Sequence, residues 1–318
     1  MKAGIATRYG GPEVFQVVDR PKPSIERHEI LLKVKASAVN SADVRLRKAE
    51  PFLVRLFFGL FKPKYEIPGI AFSGIVEEVG QAVTEYKKGQ EIWGLSETTL
   101  GAYAEYLVLN DKVRYALKPA NLSHKEAASV PFGFHTALHF LNKITVTSGQ
   151  NMLIYGASGA VGVAAVQLAK LKGLSVTAVA SSKNHTMLKG LGADVVLDYK
   201  SEQFKTLSHQ YDFVIETVSK LPAQRCVELT KENGSLILVA GVLWQPLQAN
   251  IAKLSKKITI ITGVAECTPE LLDLLKTWFE QDKLKTIIDR VFTLENLSHA
   301  HAYVDKGHKA GNVVIHIN

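Results

Sequence analysis

The sequence predicts an α/β protein in two parts: a small barrel or folded sheet, then a doubly wound parallel sheet with helices on both faces. Three observations carry that expectation. The length, 318 residues, favours two domains at roughly 150 residues each. Roughly the first hundred residues hold short runs broken by Gly and Pro, as in a small barrel. From Asn151 onward, continuous apolar strands alternate with helical stretches, the pattern of a parallel sheet buried on both faces.

In chain order, residues 2–7 and 14–18 read as strands around the turn signal Gly10-Gly11-Pro12. Residues 29–39 form a long alternating strand. Ile30, Leu32, Val34, Ala36 and Ala38 lie on one face, with Lys33, Lys35 and Ser37 on the other. Strands at 69–80, 90–94 and 102–109 complete the first sheet. Ser123-His124-Lys125-Glu126 is a capping box opening an Ala-rich helix. The second part has strands at 152–155, 175–180, 195–197, 212–215, 236–240 and 258–262. Its clearest helices are expected at about 160–172 and 183–191. The tail, 284–318, returns to strand and helix pieces ending in Val313-Val314-Ile315.

Composition narrows the function classes. At 47% hydrophobic and 21% charged, the chain is globular rather than disordered or collagen-like. Lys and Arg outnumber Asp and Glu by 38 to 30, a net charge of +8. The surplus is spread along the length, which disfavours nucleic acid as a partner and suits an anionic small ligand equally well. Two cysteines, Cys226 and Cys267, make neither a disulfide framework nor a Cys-rich zinc site, and fit a reducing compartment. The amino terminus lacks the apolar core of a secretion signal. The most hydrophobic stretch, 51–61, is short and contains Arg55, so it cannot span a bilayer. The expectation is a soluble cytoplasmic protein with no membrane partner.

The strongest chemical signal is Tyr155-Gly156-Ala157-Ser158-Gly159-Ala160-Val161-Gly162, placed after an apolar strand and opening a helix. Gly159 lets the backbone approach a pyrophosphate, Gly162 lets the helix pack on the strand, and the helix amino terminus faces the negative charge. Ser158, Gly159, Ala160 and Val161 are therefore candidate cofactor residues. Ala157 stands where the fingerprint has its first glycine, and the competing reading is a packing turn of some other α/β protein. About twenty residues on, a site for NAD places an acidic residue on the ribose. Here Ser181, Ser182 and Lys183 stand instead, a cradle for a 2′-phosphate, with the Tyr199 phenol as a further donor. The alternative is that the serines cap the helix and Lys183 is merely solvated. The expected cofactor is NADPH. Gly241, just after the strand at 236–240, is counted with its binding residues.

With these residues in place, the chain resembles the medium-chain dehydrogenase/reductase superfamily, specifically its zinc-free quinone-oxidoreductase-like (zeta-crystallin-like) branch, over nearly its whole length. The resemblance is carried by Tyr9-Gly10-Gly11-Pro12-Glu13-Val14 and by Val34-Lys35-Ala36-Ser37-Ala38-Val39-Asn40-Ser41-Ala42-Asp43. Further matches are Gly74-Ile75-Val76-Glu77-Glu78-Val79-Gly80, Gly101-Ala102-Tyr103-Ala104-Glu105-Tyr106 and the fingerprint itself. Gly190-Leu191-Gly192-Ala193-Asp194 and Gly307-His308-Lys309-Ala310-Gly311-Asn312 complete the order. The resemblance implies a GroES-like barrel domain from residues 1–120 and 265–318, around a Rossmann domain at 121–264, with the active site in a cleft between them. It also implies a homodimer.

The positions that match the catalytic zinc ligands of the family's metal-bearing members are Asn40, Ile70, Ala71 and Phe132, and the four-Cys structural lobe is missing between Trp93 and Gly101. No metal is expected. Without a Lewis acid, alcohol oxidation is disfavoured, and hydride reduction of a quinone or a conjugated C=C bond suits the site. By the resemblance, Asn40 faces the pocket as a donor to the substrate carbonyl; the alternative is a turn-stabilising Asn. Thr136 matches a Thr beside the nicotinamide ribose, against an ordinary helix residue. Lys309 is the tail residue that reaches the 2′-phosphate in some relatives. The leading expectation is an NADPH-dependent reductase of quinones or α,β-unsaturated carbonyls. An enoyl-thioester reductase and a non-catalytic, crystallin-like NADPH-binding protein are the alternatives.

One segment stands apart. Phe52, Leu53, Leu56, Phe57, Leu60 and Phe61 recur along one helical face between Pro51 and the end of the run, with Gly59 near the stop. The expectation is a helix of two to three turns, either an apolar lid over the cleft or a stripe packed on the barrel or a partner subunit.

Overall fold

Apolar runs become strands close to where the pattern places them, and the departures have local causes. The computed structural model describes residues 1–207, 210–239, 247–250 and 256–318. The chain divides into Met1–Phe132 with Cys267–Asn318, and Gly133–Glu266. The first unit therefore runs past residue 120. The helix His124–Ser129, held by the Ser123/Glu126 capping box, packs on strands of the first unit, and His124 Nδ1 lies 2.8 Å from the buried Ser73 hydroxyl.

In the first unit, β1 (Lys2–Ala6) pairs antiparallel with β2 (Phe15–Asp19). Val14 belongs not to that strand but to a 3-10 turn, Pro12–Val14, set by the proline. β3 (Ile30–Val39), β4 (Ala71–Val79), β5 (Glu91–Leu95), β6 (Tyr106–Leu109) and β7 (Arg114–Leu117) follow. β6 is shorter than expected, because residues 102–105 make only an isolated bridge, Ala3 to Ala104.

β3 is long enough to serve two partners on one edge, β6 at its start and a carboxyl-terminal strand at its end, with β4 along the other edge. Its register against β4 shifts between Val34 and Ala36. One extra residue reverses the side-chain parity. Ile30, Leu32 and Val34 join the main core with Phe72, Tyr103 and Leu297, whereas Ala36 packs with Ala128 and Val314, and Val39 returns to the main core. The expected single apolar face over residues 30–38 is thus split by a bulge.

The second unit is a six-stranded parallel sheet of β8 (Asn151–Tyr155), β9 (Ser175–Ala180), β10 (Val195–Asp198), β11 (Tyr211–Glu216), β12 (Thr230–Leu238) and β13 (Thr259–Thr262). Its order is β10-β9-β8-β11-β12-β13, the doubly wound arrangement. β12 begins six residues before its expected apolar start; a register shift against β11 accommodates its polar Lys231-Glu232-Asn233 segment. Ala240 lies outside the described residues. The chain then returns to the first unit with β14 (Ile288–Thr293) and β15 (Asn312–His316), the latter pairing antiparallel with β3.

Candidate functional site

The strand order reverses between β8 and β11, and the turn after β8 sits at that switch point, where open parallel sheets bind ligands. Backbone closes the turn. The amides of Gly156 and Ala157 both donate to the Val179 carbonyl at 3.1 Å, and Gly159 N–H donates to Gly156 at 3.1 Å. Gly156 has φ +78°, and an added Cβ would meet the Thr217 hydroxyl at 2.5 Å. A Cβ on Gly162 would stand 2.3 Å from the Gly156 carbonyl, so this glycine is what lets the helix Ala160–Leu171 start so close to β8.

Gly159 differs. It caps that twelve-residue helix with no side-chain hydrogen bond, and a Cβ there would meet only one atom, at 3.5 Å. The helix therefore opens with uncapped amides, and at Gly159 the backbone stands open where a side chain would begin, which fits the close approach of a pyrophosphate. Ser158 borders this opening half-buried, and Ala160 and Val161 are nearly buried in the first turn. Thr217 was not foreseen. Its hydroxyl donates to the carbonyls of Tyr155 and Gly156 at 3.0 and 3.2 Å, fixing the turn from β11.

Ser181, Ser182 and Lys183 lie at the carboxyl end of the neighbouring strand β9. Ser181 precedes a 3-10 turn, Ser182–Asn184, and gives it no side-chain cap, so the capping alternative is not what its hydroxyl does there. Ser182 and Lys183 are exposed. The acidic residue missing from the end of β9 has a counterpart at the end of β10. Asp198 Oδ2 accepts the Ser182 amide at 2.8 Å and Oδ1 accepts the Lys200 amide at 2.8 Å. Those amides, Lys200 first, lower its carboxyl below the ordinary value. Tyr199, next to it, is half-buried against the core of this unit, with Lys200 over its ring at 5.7 Å.

Thr136 and His135 are buried in the helix Pro131–Leu141. A Cβ on Gly133, one turn before Thr136, would lie 2.5 Å from the Ala160 carbonyl. This close approach sets Thr136 beside the start of the nucleotide helix. The second unit thus gathers Thr136, the 156–162 turn, the 181–183 segment and Tyr199 at the carboxyl ends of β8, β9 and β10. Gly241 lies outside the described residues.

Asn40, in the first unit, is 2% exposed and is the amino cap of the helix Ser41–Lys48. Oδ1 accepts from the amides of Ala42 (2.9 Å) and Asp43 (3.1 Å), while the Asn40 amide donates to Asp43 Oδ2 at 3.0 Å. Both sequence readings of this residue meet here. Capping occupies the oxygen and so fixes the amide's orientation, leaving Nδ2 a buried donor with no hydrogen-bond partner. Burial pushes the Asp43 carboxyl up to about 7, against the lowering effect of the Asn40 amide.

Lys309 turns its amine onto the Gly311 carbonyl of its own loop, and burial lowers that amine to about 8. Of the positions matching zinc ligands, Asn40 is engaged as a cap, and Ile70 and Ala71 are buried apolar residues. Among the described residues, no group of three or more His, Cys, Asp and Glu is placed to hold a metal. No described helix is long and apolar enough to cross a membrane. The apolar stretch is shorter than expected: only Val54–Phe58 is helical, Gly59 ends it at φ +114°, and none of its residues is buried. It is not a stripe packed on the barrel.

Comparison with known proteins places these features. Residues 26–119 match the alcohol dehydrogenase GroES-like domain, and residues 191–315 match a domain described as zinc-binding dehydrogenase. The chain is 32% identical to a 2-methylene-furan-3-one reductase of Solanum lycopersicum, over 99% of this chain and 79% of that one. It is 29% identical to a chloroplastic NADPH-dependent alkenal/one oxidoreductase of Arabidopsis thaliana, with the same coverage. The solved quinone oxidoreductase from Coxiella burnetii superposes with a TM-score of 0.90 at 30% identity, covering 100% of this chain and 99% of that one. With a GroES-like first unit, a doubly wound second unit and relatives of this similarity over nearly its full length, the chain belongs to the medium-chain dehydrogenase/reductase superfamily, in its quinone-oxidoreductase-like branch.

Proposed function

We propose that this chain is an NADPH-dependent reductase of quinones or α,β-unsaturated carbonyls that works without zinc. The observation that carries the reading is the turn at 156–162: rigidly closed by backbone, uncapped at the helix start, and open at Gly159. Ser158 to Val161 would hold the pyrophosphate through first-turn amides. Ser181, Ser182, Lys183 and the Tyr199 phenol would hold the 2′-phosphate, and Thr136 would border the nicotinamide ribose. Relatives named as NADPH-dependent alkenal/one and quinone oxidoreductases support the cofactor and the substrate class.

When bound, NADPH supplies a hydride to an electrophilic carbon. The chain's own task is to hold the substrate and stabilise the negative charge that collects on the carbonyl oxygen. Asn40 is suited to that. Its Nδ2 is a desolvated, orientation-fixed donor, the type of group that strengthens most as charge develops. The residue types at positions 40, 70, 71 and 132 support a metal-independent reaction, because none is a good zinc ligand. A cytoplasmic homodimer is the form the family reading suggests, checked by sedimentation equilibrium.

NADPH oxidation followed with quinones, enones and a crotonyl thioester tests the reading, with chelator present throughout. Turnover of quinone or enone is expected; turnover of the thioester alone, or of nothing, would count against it. Asn40→Ser keeps a capping oxygen but leaves no donor of the same reach. It should lower kcat about a hundredfold with Tm nearly unchanged. If kcat survives, Asn40 is only a cap.

A further inference from the structure

Six of the fourteen large hydrophobic residues that stand exposed among the described residues fall within the ten positions from Phe52 to Phe61. They include every exposed Phe: Phe52, Phe57 and Phe61, the last two 76% and 89% exposed. A patch of this kind on a globular surface marks contact with something apolar. The backbone beneath it is fixed. The Tyr9 hydroxyl donates to the carbonyls of Phe58 and Gly59 at 2.9 and 2.7 Å, Lys64 N–H donates to Phe58 at 2.7 Å, and the Arg55 guanidinium lies 4.9 Å from the Tyr9 ring. The apolar side chains are thus held outward on an anchored loop.

Charge decides among occupants. Exposed Lys62 and Lys64 follow the stretch and Arg55 sits within it; before it, Lys48 is already paired with Asp305 at 3.4 Å, and of the exposed acids that flank the segment, Glu50 and Glu66, the second is paired with Arg20 at 2.9 Å. In a second copy meeting this face about a two-fold axis, cation would oppose cation. Three protruding Phe rings form a wedge, suited to a deformable apolar medium. Basic side chains beside such a wedge complement anionic headgroups, as at interfacial anchors.

We propose that the segment from Phe52 to Lys64 is a bilayer-interface anchor: Phe57 and Phe61 enter the acyl boundary of an anionic membrane, and Lys62 and Lys64 bind its headgroups. This amends the expectation of no membrane partner, without any spanning segment, and it stands independently of the reductase reading.

Co-sedimentation with large vesicles of phosphatidylcholine, with and without phosphatidylglycerol, tests it on the full chain. Wild-type protein should partition at least about tenfold more strongly to the anionic vesicles at low salt, and lose that preference at high salt. Phe57→Ser with Phe61→Ser should cut partitioning about thirtyfold, the scale expected for removing two inserted aromatic side chains, with circular dichroism and Tm unchanged because both are exposed. Lys62→Glu with Lys64→Glu should erase the preference for phosphatidylglycerol. Wild-type protein that stays in the supernatant at low salt overturns the proposal. So does a double Phe variant that binds like wild type, or one whose sole effect is to change the oligomeric state.

Discussion

In the second unit, the turn at 156–162 is built from consecutive residues and closed by backbone, with the Val179 carbonyl taking two amides and Thr217 pinning two carbonyls. In the first unit, the polar interior behind Asn40 is built from side chains far apart in the chain. Arg47 donates to the Gly10 carbonyl at 3.1 Å and to Asp305 at 2.6 Å, and the fully buried His301 ring lies tilted against Phe15 with centroids 4.4 Å apart. Asn40 Nδ2, Asp43 Oδ1 and both His301 nitrogens lack hydrogen-bond partners. One region is set by backbone shape, the other by side-chain protonation and buried polar groups without partners. They should therefore fail differently when perturbed: the first by sterics, the second by pH.

The largest expected effect is steric. Gly162→Val drives its side chain into the Gly156 carbonyl and the Ala157 backbone, which cannot yield as a flexible side chain would. It should cost at least about 3 kcal/mol in urea unfolding. Gly159→Ala, three residues away, meets almost nothing and should keep wild-type stability while weakening NADPH about tenfold, because the methyl occupies the cradle. Equal stability loss in both variants would erase the distinction between a packing glycine and a ligand glycine.

That contrast also explains what was legible in the sequence. Spacing reveals backbone turns, so the fingerprint, the Ser123/Glu126 capping box and the parallel strands could be read directly. Spacing hides what depends on a partner from elsewhere. The parity change at Ala36 follows from a bulge against β4, and Thr217 reaches the fingerprint only because β11 lies beside β8. The stretch at 51–61 shows the limit most clearly. Its apolar pattern resembles a buried stripe, and only the exposure of its side chains in the fold shows otherwise.

The second prediction tests the protonation side of the comparison. Burial raises the Asp43 carboxyl to about 7, whereas an unfolded Asp titrates near about 3.9. Between those values the folded chain keeps a proton that the unfolded chain has released. The contribution of this group to stability should therefore fall as pH rises from about 4 to about 7, at a slope approaching 1.4 kcal/mol per pH unit. His301 acts oppositely: burial, then the charge of Arg47, pushes its imidazole down, so stability is lost as pH falls below about 6.5. The two contributions offset each other between about 4 and about 6.5, so Asp43→Asn, which mimics the neutral acid, should unmask His301 as a gain of stability with rising pH across that window and remove the decline between about 6.5 and about 7. An unchanged pH profile of Tm in that variant would show that Asp43 is ionised in the fold.

Cofactor choice gives a smaller effect. Lys183 is exposed beside Ser181 and Ser182, so in the proposed cradle it would act as a screened point charge. Lys183→Ala should weaken NADPH about tenfold and leave NADH almost unchanged in fluorescence titration. A parallel loss for both cofactors would move Lys183 from the 2′-phosphate to the pyrophosphate or to the loop itself.

The smallest expected effect belongs to Asp198, which holds the 181–183 segment from the end of β10 rather than standing at the end of β9. Its carboxylate has two opposed influences on a 2′-phosphate. It fixes the Ser182 amide and so the shape of the cradle, but it also places a negative charge near the phosphate it would help bind. Because the carboxylate is half-buried, reached by solvent, and engaged by the amides of both Ser182 and Lys200, screening should leave the repulsion modest. Asp198→Asn keeps an oxygen for one amide and removes the charge. The NADPH-to-NADH affinity ratio should rise about threefold. A ratio that falls instead would mean that positioning Ser182 outweighs the charge, and that this site, like the nucleotide turn beside it, is governed by backbone shape.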